Sequence, residues 1–168
     1  MIFLIVGKTG TGKTYLANKL VHDEAQTHAI IFDPYYQFST VYRCPENRCI
    51  ISNNPGADAA DAFLQQFKLT NCTIVFDELA EYISNHPRGI TPLQSTLIRS
   101  HRIRRINIIA TTQRIADIHH LFIQNCDHIF VFAQRSHRDI AVLANYCMPD
   151  ALDRIRALDD TSHEYVII

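Results

Sequence analysis

No apolar run in the 168 residues approaches the roughly 20 needed to cross a bilayer as a helix. A cleavable leader is also missing, because the apolar stretch Ile2-Phe3-Leu4-Ile5-Val6 runs straight into a glycine-rich loop. A cytoplasmic protein without a transmembrane segment is therefore expected. Strong charge of one sign is absent too: the net charge is −1 at pH 7. That excludes a broadly basic nucleic-acid binder, so any such contact must be local or built by assembling copies. Glycine is scarce, and three of the five glycines fall within eight consecutive positions. The five cysteines, Cys44, Cys49, Cys72, Cys126 and Cys147, are odd in number and lie mostly in apolar stretches. They read as reduced thiols. Cys44 and Cys49 are spaced as half of a zinc site, but no second well-spaced Cys/His pair completes it. The nine histidines are dispersed and read as surface or structural residues. Repeats, low-complexity tracts and linker-like stretches are missing, so residues 1–168 are expected to form one domain.

What is present is an alternation of short apolar runs with amphipathic segments. Strands are expected at Ile2 to Val6, Ala29 to Phe32, Cys49 to Ile51, Thr73 to Phe76, Ile106 to Thr111, His128 to Ala133 and Tyr165 to Ile168. Helices are expected at Lys13 to His22, Ala57 to Phe67, Leu93 to Arg102, Arg138 to Tyr146 and Asp150 to Leu158, with a short helix or loop at Ile115 to Ile123. Pro92 suits the first turn of the third helix. The strands are continuously apolar rather than alternating, as when helices cover both faces of a sheet. Strands alternating with helices indicate an α/β fold with a mostly parallel sheet.

Gly7-Lys8-Thr9-Gly10-Thr11-Gly12-Lys13-Thr14 fits the pattern G-x-x-x-x-G-K-[ST] at every position, with a strand before it and a helix after it. The glycines let the loop turn backbone N–H groups inward around a phosphate, and the helix N-terminus adds partial positive charge. Lys13 would reach the β- and γ-phosphates of a nucleoside triphosphate, and the Thr14 hydroxyl would bind Mg²⁺. The loop alone does not separate an ATPase from a kinase or a GTPase.

The apolar strand Thr73-Ile74-Val75-Phe76 ends in Asp77-Glu78. Ligands of open parallel sheets sit at the carboxyl ends of strands. Asp77 would hold Mg²⁺ through water there, and Glu78 would orient the attacking water. A solvated pair of acids is the competing reading. Thr111-Thr112-Gln113-Arg114 closes the strand starting at Ile106, and Gln113 is placed to bond the γ-phosphate or the water. Arg99, Arg102, Arg104 and Arg105 fall within seven residues. They suit a solvated helix C-terminus, an arginine finger inserted into a neighbouring subunit's site, or phosphate contact with DNA.

Taken together, these segments resemble the HerA/FtsK superfamily of DNA-pumping ATPases across nearly the whole chain. The loop Gly7 to Thr14 and the Asp77-Glu78 strand are shared by many phosphate-loop families. The strand-plus-acid Ile30-Ile31-Phe32-Asp33-Pro34 falls between them in order, and much more specific is the Ala110-Thr111-Thr112-Gln113-Arg114 strand end, with Arg102 eleven residues before Gln113. The resemblance implies a RecA-like fold, ATP and Mg²⁺, and a homo-hexameric ring around double-stranded DNA. It implies Lys13, Thr14, Asp77 and Glu78 as nucleotide and catalytic residues, Gln113 as sensor and Arg102 as the finger acting in trans. The bare motor core is most similar to genome-packaging ATPases of membrane-containing icosahedral viruses, which implies a capsid or portal partner and a place in the host cytoplasm or at a virion vertex. One mild departure is Ile115, where many members carry proline.

An ATP-driven DNA translocase is the expectation. Its pore segments would be Tyr82 to Ile90 and Ile115 to Gln124. The alternatives are a small-molecule kinase, a filamentous-phage or conjugation-type assembly ATPase, and a nucleotide-dependent assembly switch. Against the kinase, no arginine-rich lid is recognisable and Glu78 suits activation of water.

Overall fold

A computed structural model describes residues 1–24, 28–36 and 49–168 of the chain. In chain order the elements are β1 (Ile2–Val6), α1 (Lys13–Glu24), β2 (Ala29–Phe32), β3 (Cys49–Ser52), α2 (Ala57–Leu64), β4 (Cys72–Phe76), α3 (Pro92–Arg104) and β5 (Ile106–Thr112). Then follow α4 (His120–Gln124), β6 (His128–Val131), α5 (His137–Leu143), α6 (Pro149–Ala157) and β7 (Val166–Ile167). Single 3₁₀ turns at Leu79–Glu81 and Ile115–Asp117 follow β4 and β5.

The strands form one seven-stranded sheet in the order β3-β2-β4-β5-β1-β6-β7. Every neighbouring pair is parallel except β6 with β7, where Phe130 lies opposite Ile167. Side chains alternate across β1. Ile2, Leu4 and Val6 face a core completed by Ala60 and Leu64 of α2, Leu97 and Ile98 of α3, and Phe122 of α4. Phe3 and Ile5 face the opposite core, where α1 contributes Leu16, Ala17 and Val21. Both faces are thus covered, which explains the continuously apolar strands. The two edge strands depart, with Ile50 and Ile51 of β3 and Ile167 of β7 exposed.

Each expected element is present, with shifted ends. The helix expected to Phe67 stops at Leu64, where the amides of Gln66 and Phe67 turn to carbonyls three residues back. The strand expected to Ala133 ends at Val131, because β1 beyond Val6 has already turned into the glycine loop. The last strand is two residues long and antiparallel, an orientation that composition does not encode. Helix α3 begins as its sequence directs. Pro92 occupies the first turn, and Thr91 and Gln94 form a reciprocal capping box.

One expectation is corrected. Cys49 is disulfide-bonded, so it is not a reduced thiol, and a sulfur in that bond is not a zinc ligand. Cys72, Cys126 and Cys147 are free, while Cys44, the other half of the considered zinc pair, lies outside the described residues. No helix among the described residues is long and apolar enough to cross a membrane.

Candidate active site

The glycine loop leaves β1 at the carboxyl edge of the sheet, next to β5. The amide of Gly7 donates to the carbonyl of Thr112 at 3.1 Å, stitching the loop to the end of that strand. Gly7 is required sterically: a Cβ there would stand 2.7 Å from Thr11 Oγ1 and 2.8 Å from Phe132 Cβ. Gly10 and Gly12 are required by backbone, with φ of 86° and 98°. Lys13 opens α1, is almost fully buried, and donates from Nζ to the Lys8 carbonyl at 3.0 Å. Burial pushes its ammonium below the usual lysine range, against the opposing pull of Glu78 and Asp77.

The acid pair stands opposite. Asp77 is buried at the end of β4, and its carboxylate accepts a 2.8 Å bond from the Thr111 hydroxyl. Desolvation raises its pKa, the Thr111 bond lowers it, and the negative charges of Asp33 and Glu78 raise it again. Glu78 adopts a left-handed backbone conformation, φ 58° and ψ 74°. This turn costs a non-glycine residue roughly 1–2 kcal/mol. It is held by the Glu78 amide donating to Thr111 Oγ1 at 3.0 Å. The Glu78 carboxylate is anchored in turn: Oε1 accepts from the Thr112 hydroxyl at 3.1 Å and from the Gln113 amide at 3.2 Å.

A cleft of about 260 Å³ lies between loop and acids, lined by Thr9, Gly10, Gly12, Lys13, Thr14, Asp77, Glu78, Thr111 and Gln113, with Tyr15 and Tyr35 at its sides. The sequence-predicted residues Lys13, Thr14, Asp77, Glu78 and Gln113 are therefore brought together. Three others do different work locally. Thr11 is buried, with its hydroxyl on the Lys8 carbonyl. Lys8 turns outward and pairs with Asp160 at 2.7 Å. Arg102 sits at the far, amino edge of the sheet, where Nη2 meets Asp127 Oδ1 at 2.5 Å. Arg99, Arg104 and Arg105 are exposed around the same end of α3. No group of three or more His, Cys, Asp or Glu side chains among the described residues is arranged to hold a metal. The buried Asp77 carboxylate and the Thr14 hydroxyl line the same cleft, and both are hard oxygen donors suited to Mg²⁺ when phosphate oxygens complete the set.

Some participants escaped the sequence. Thr111 and Thr112 were visible in the motif, but which acid each hydroxyl would hold depends on the β4–β5 register, Phe76 opposite Ala110. Tyr35, whose hydroxyl donates to Glu81 at 2.7 Å on the cleft wall, carried no sequence signal. Of the two expected pore segments, Ile115 to Gln124 proves largely packed, with Ile115, Ala116, Ile118, Phe122 and Ile123 buried in the core. Tyr82 and Ile83 are buried as well. In that first segment residues 85–88 project as a turn closed by Ser84 N to Gly89 O at 2.9 Å, and in the second His120 and Gln124 are exposed.

This loop, acid pair and sheet order define a RecA-like P-loop NTPase. The chain belongs to the family described as "Helicase HerA, central domain", which matches residues 1–115. No curated protein matches it in sequence. Among solved structures it resembles the genome packaging NTPase of Sulfolobus turreted icosahedral virus 2. In that protein's complex with ATP-gammaS the TM-score is 0.76 at 17% identity, covering 99% of this chain and 95% of the other. Its sulfate complex gives a TM-score of 0.79 at 17% identity, covering 99% and 89%. The N-terminal domain of zonular occludens toxin from Neisseria meningitidis is more distant, with a TM-score of 0.56 at 14% identity over 99% and 92%.

Proposed function

We propose that this HerA-family chain hydrolyses ATP and couples hydrolysis to movement of double-stranded DNA, as a viral genome-packaging motor does. The observation that carries the reading is the pairing of Glu78 with Gln113. The Glu78 carboxylate, which in this reading would activate water, accepts a 3.2 Å bond from the backbone amide of Gln113, which would sense the γ-phosphate. In this reading Lys13 and the amides of the loop Gly7 to Thr14 neutralise the phosphates. Thr14 and Asp77 would hold Mg²⁺, which supplies charge neutralisation at the β- and γ-oxygens.

The route to DNA runs through the turn at residues 85–88. The Asn85 amide donates to Asp117 O at 2.7 Å and its side chain to Ala116 O at 3.1 Å. Arg114, next to Gln113, is tied to the buried Asp139 at 3.4 Å, and Asp139 also accepts from the Ala116 amide. A displacement at Gln113 would thus reach the exposed His86 and Arg88, which are suited to backbone phosphate rather than base edges. The small net charge fits local contacts multiplied in a ring. Arg102, remote from its own loop, would serve a neighbouring site as the finger, and residues 1–168 act as one motor domain. A capsid or portal partner and a place in host cytoplasm or virion vertex follow from the packaging reading.

The test is phosphate release with and without long double-stranded DNA. Stimulation by DNA without a small-molecule acceptor is expected, with loss in Lys13→Ala and Glu78→Gln. Equal release by wild type and Glu78→Gln would end the hydrolytic reading, and a requirement for an acceptor would favour a kinase.

A further inference from the structure

Four arginines crowd the end of α3 at the amino edge of the sheet, and they are not equivalent. Arg99, Arg104 and Arg105 are exposed, and no carboxylate among the described residues pairs with them. Arg102 instead donates from Nη2 to Asp127 Oδ1 at 2.5 Å. Asp127, which stands just before β6, is itself fixed at two points. Its amide donates to the Ile2 carbonyl at 2.8 Å, and its Oδ2 accepts from the Ile2 amide at 2.7 Å. Buried His101 closes the inner side, with Nε2 3.7 Å from Oδ2 and Nδ1 2.7 Å from the Ile98 carbonyl. The Asp127 side chain is only 16% exposed, whereas the Arg102 side chain that it holds is 75% exposed. Ile2 in turn opens β1, the strand that ends in the phosphate loop.

A guanidinium carries its N–H donors in a rigid planar fork. One bond to a fixed carboxylate sets the direction of that fork and leaves its other donors for a second anion. A long side chain that is free must surrender rotamer freedom whenever it enters a neighbour's cleft, and one already held surrenders less. We infer that Asp127 is a positioning residue, which holds the Arg102 guanidinium in the direction that reaches the nucleotide cleft of a neighbouring subunit. The bond is kept on assembly, because the carboxylate stays tied to Ile2 behind the guanidinium. The same tie roots the arginine in the strand that carries its own subunit's phosphate loop. Asp127 acts on direction rather than on charge, since a carboxylate beside a guanidinium partly offsets its positive field. The inference rests on the trans role proposed above for Arg102.

Steady-state phosphate release by the full chain with long double-stranded DNA tests it. Asparagine at position 127 keeps an oxygen for the Ile2 amide and turns an NH₂ toward Arg102, so the fold is retained while the guanidinium loses its hold. Asp127→Asn should lower kcat about tenfold or more, with KM for ATP within about twofold. Arg102→Ala should lower kcat further, and Asp127→Asn added to Arg102→Ala should change nothing more. Glu78→Gln subunits hydrolyse nothing but bring intact arginines. In excess of them, release per Asp127→Asn subunit should return to within about twofold of wild-type subunits diluted alike. Damage to the subunit's own cleft would not be repaired in this way. An unchanged kcat in Asp127→Asn would overturn the inference, and so would a raised one, which would make the pair a restraint on Arg102. A further loss on adding Asp127→Asn to Arg102→Ala would do the same, as would recovery of Arg102→Ala but not of Asp127→Asn in the mixtures. Failure of both variants to recover would instead remove the trans role beneath it.

Discussion

Replacing Thr112 by valine removes the hydroxyl's hold on Glu78, together with its longer bonds to the Arg114 carbonyl and amide at 3.3 and 3.4 Å. The side chain is fully buried, and valine matches its shape while deleting the hydroxyl. Glu78 Oε1 then keeps the Gln113 amide at 3.2 Å and loses the hydroxyl at 3.1 Å. Hydrogen bonds to charged groups contribute about 1.5–3 kcal/mol, and the length of this one places it near the lower value. A loss of about 1.5 kcal/mol in positioning the carboxylate corresponds to roughly tenfold in rate. The Glu78 backbone turn should persist, because its amide bonds Thr111 rather than Thr112. Steady-state phosphate release should therefore show kcat down about tenfold, with KM for ATP within about twofold. Thr112→Ser should restore kcat. Unchanged kcat in Thr112→Val, beside an inactive Glu78→Gln, would show that the hydroxyl does not orient the acid. A raised KM at constant kcat would place Thr112 in substrate binding instead.

Two other outcomes follow from the far edge of the sheet. Burial pushes the Asp127 carboxyl upward, but the Ile2 amide at 2.7 Å and Arg102 overcome it and hold the pKa below the usual range. Such a group stabilises the fold above its unfolded pKa, and that contribution is lost as pH falls through the lower folded value. Asp127→Ala should cost about 1–3 kcal/mol in urea denaturation at neutral pH, and the gap from wild type should close in acid. A gap that persists in acid would refute the charge-based account. Arg102→Ala alone should change stability little, since an ion pair on a side chain 75% exposed is worth about 0–1 kcal/mol. Mixing it with Glu78→Gln subunits should partly recover phosphate release if the arginine acts in trans, and mixed assemblies without recovery would exclude that role.

The parts of this molecule legible in its sequence are those where one residue type has one physical use. The glycine loop is of this kind, because a Cβ at Gly7 meets Thr11 and Phe132 and the φ values at Gly10 and Gly12 are positive. The Thr91-Pro92-Gln94 helix start is another, and so is the acid pair at the end of an apolar strand. What could not be read needs the sheet first. Strand order decides that the Thr111 hydroxyl meets Asp77 and that Arg102 faces away from its own loop. The turn at Asp160 and His163, just before the antiparallel β7, meets the loop across 152 residues of sequence, and nothing local announces either contact. The packing of the segment at Ile115 is not legible, because Asp117, His119 and His120 interrupt its apolar residues and no clear period remains. Those apolar residues are spent on the core.

The packing of that segment sharpens the mechanical reading. If that segment serves as a pore loop, being half core it cannot swing freely, and a signal from Gln113 would have to travel by small shifts of packed elements. Among the described contacts, the turn at residues 85–88 meets the segment through the Ser84–Ile118 bridge and through Asn85 on Ala116 and Asp117. Asn85→Ala removes the side-chain bond to Ala116 and leaves the backbone bond to Asp117. Neither nucleotide cleft residues nor core packing change. Basal phosphate release should therefore stay within about twofold of wild type, while its stimulation by long double-stranded DNA falls severalfold, as expected for coupling contacts worth about 0.5–2 kcal/mol. Measuring release across a DNA titration separates these effects. Full stimulation with unchanged DNA affinity would mean that the turn does not relay the state of Gln113, and the path from hydrolysis to DNA would have to leave the site elsewhere.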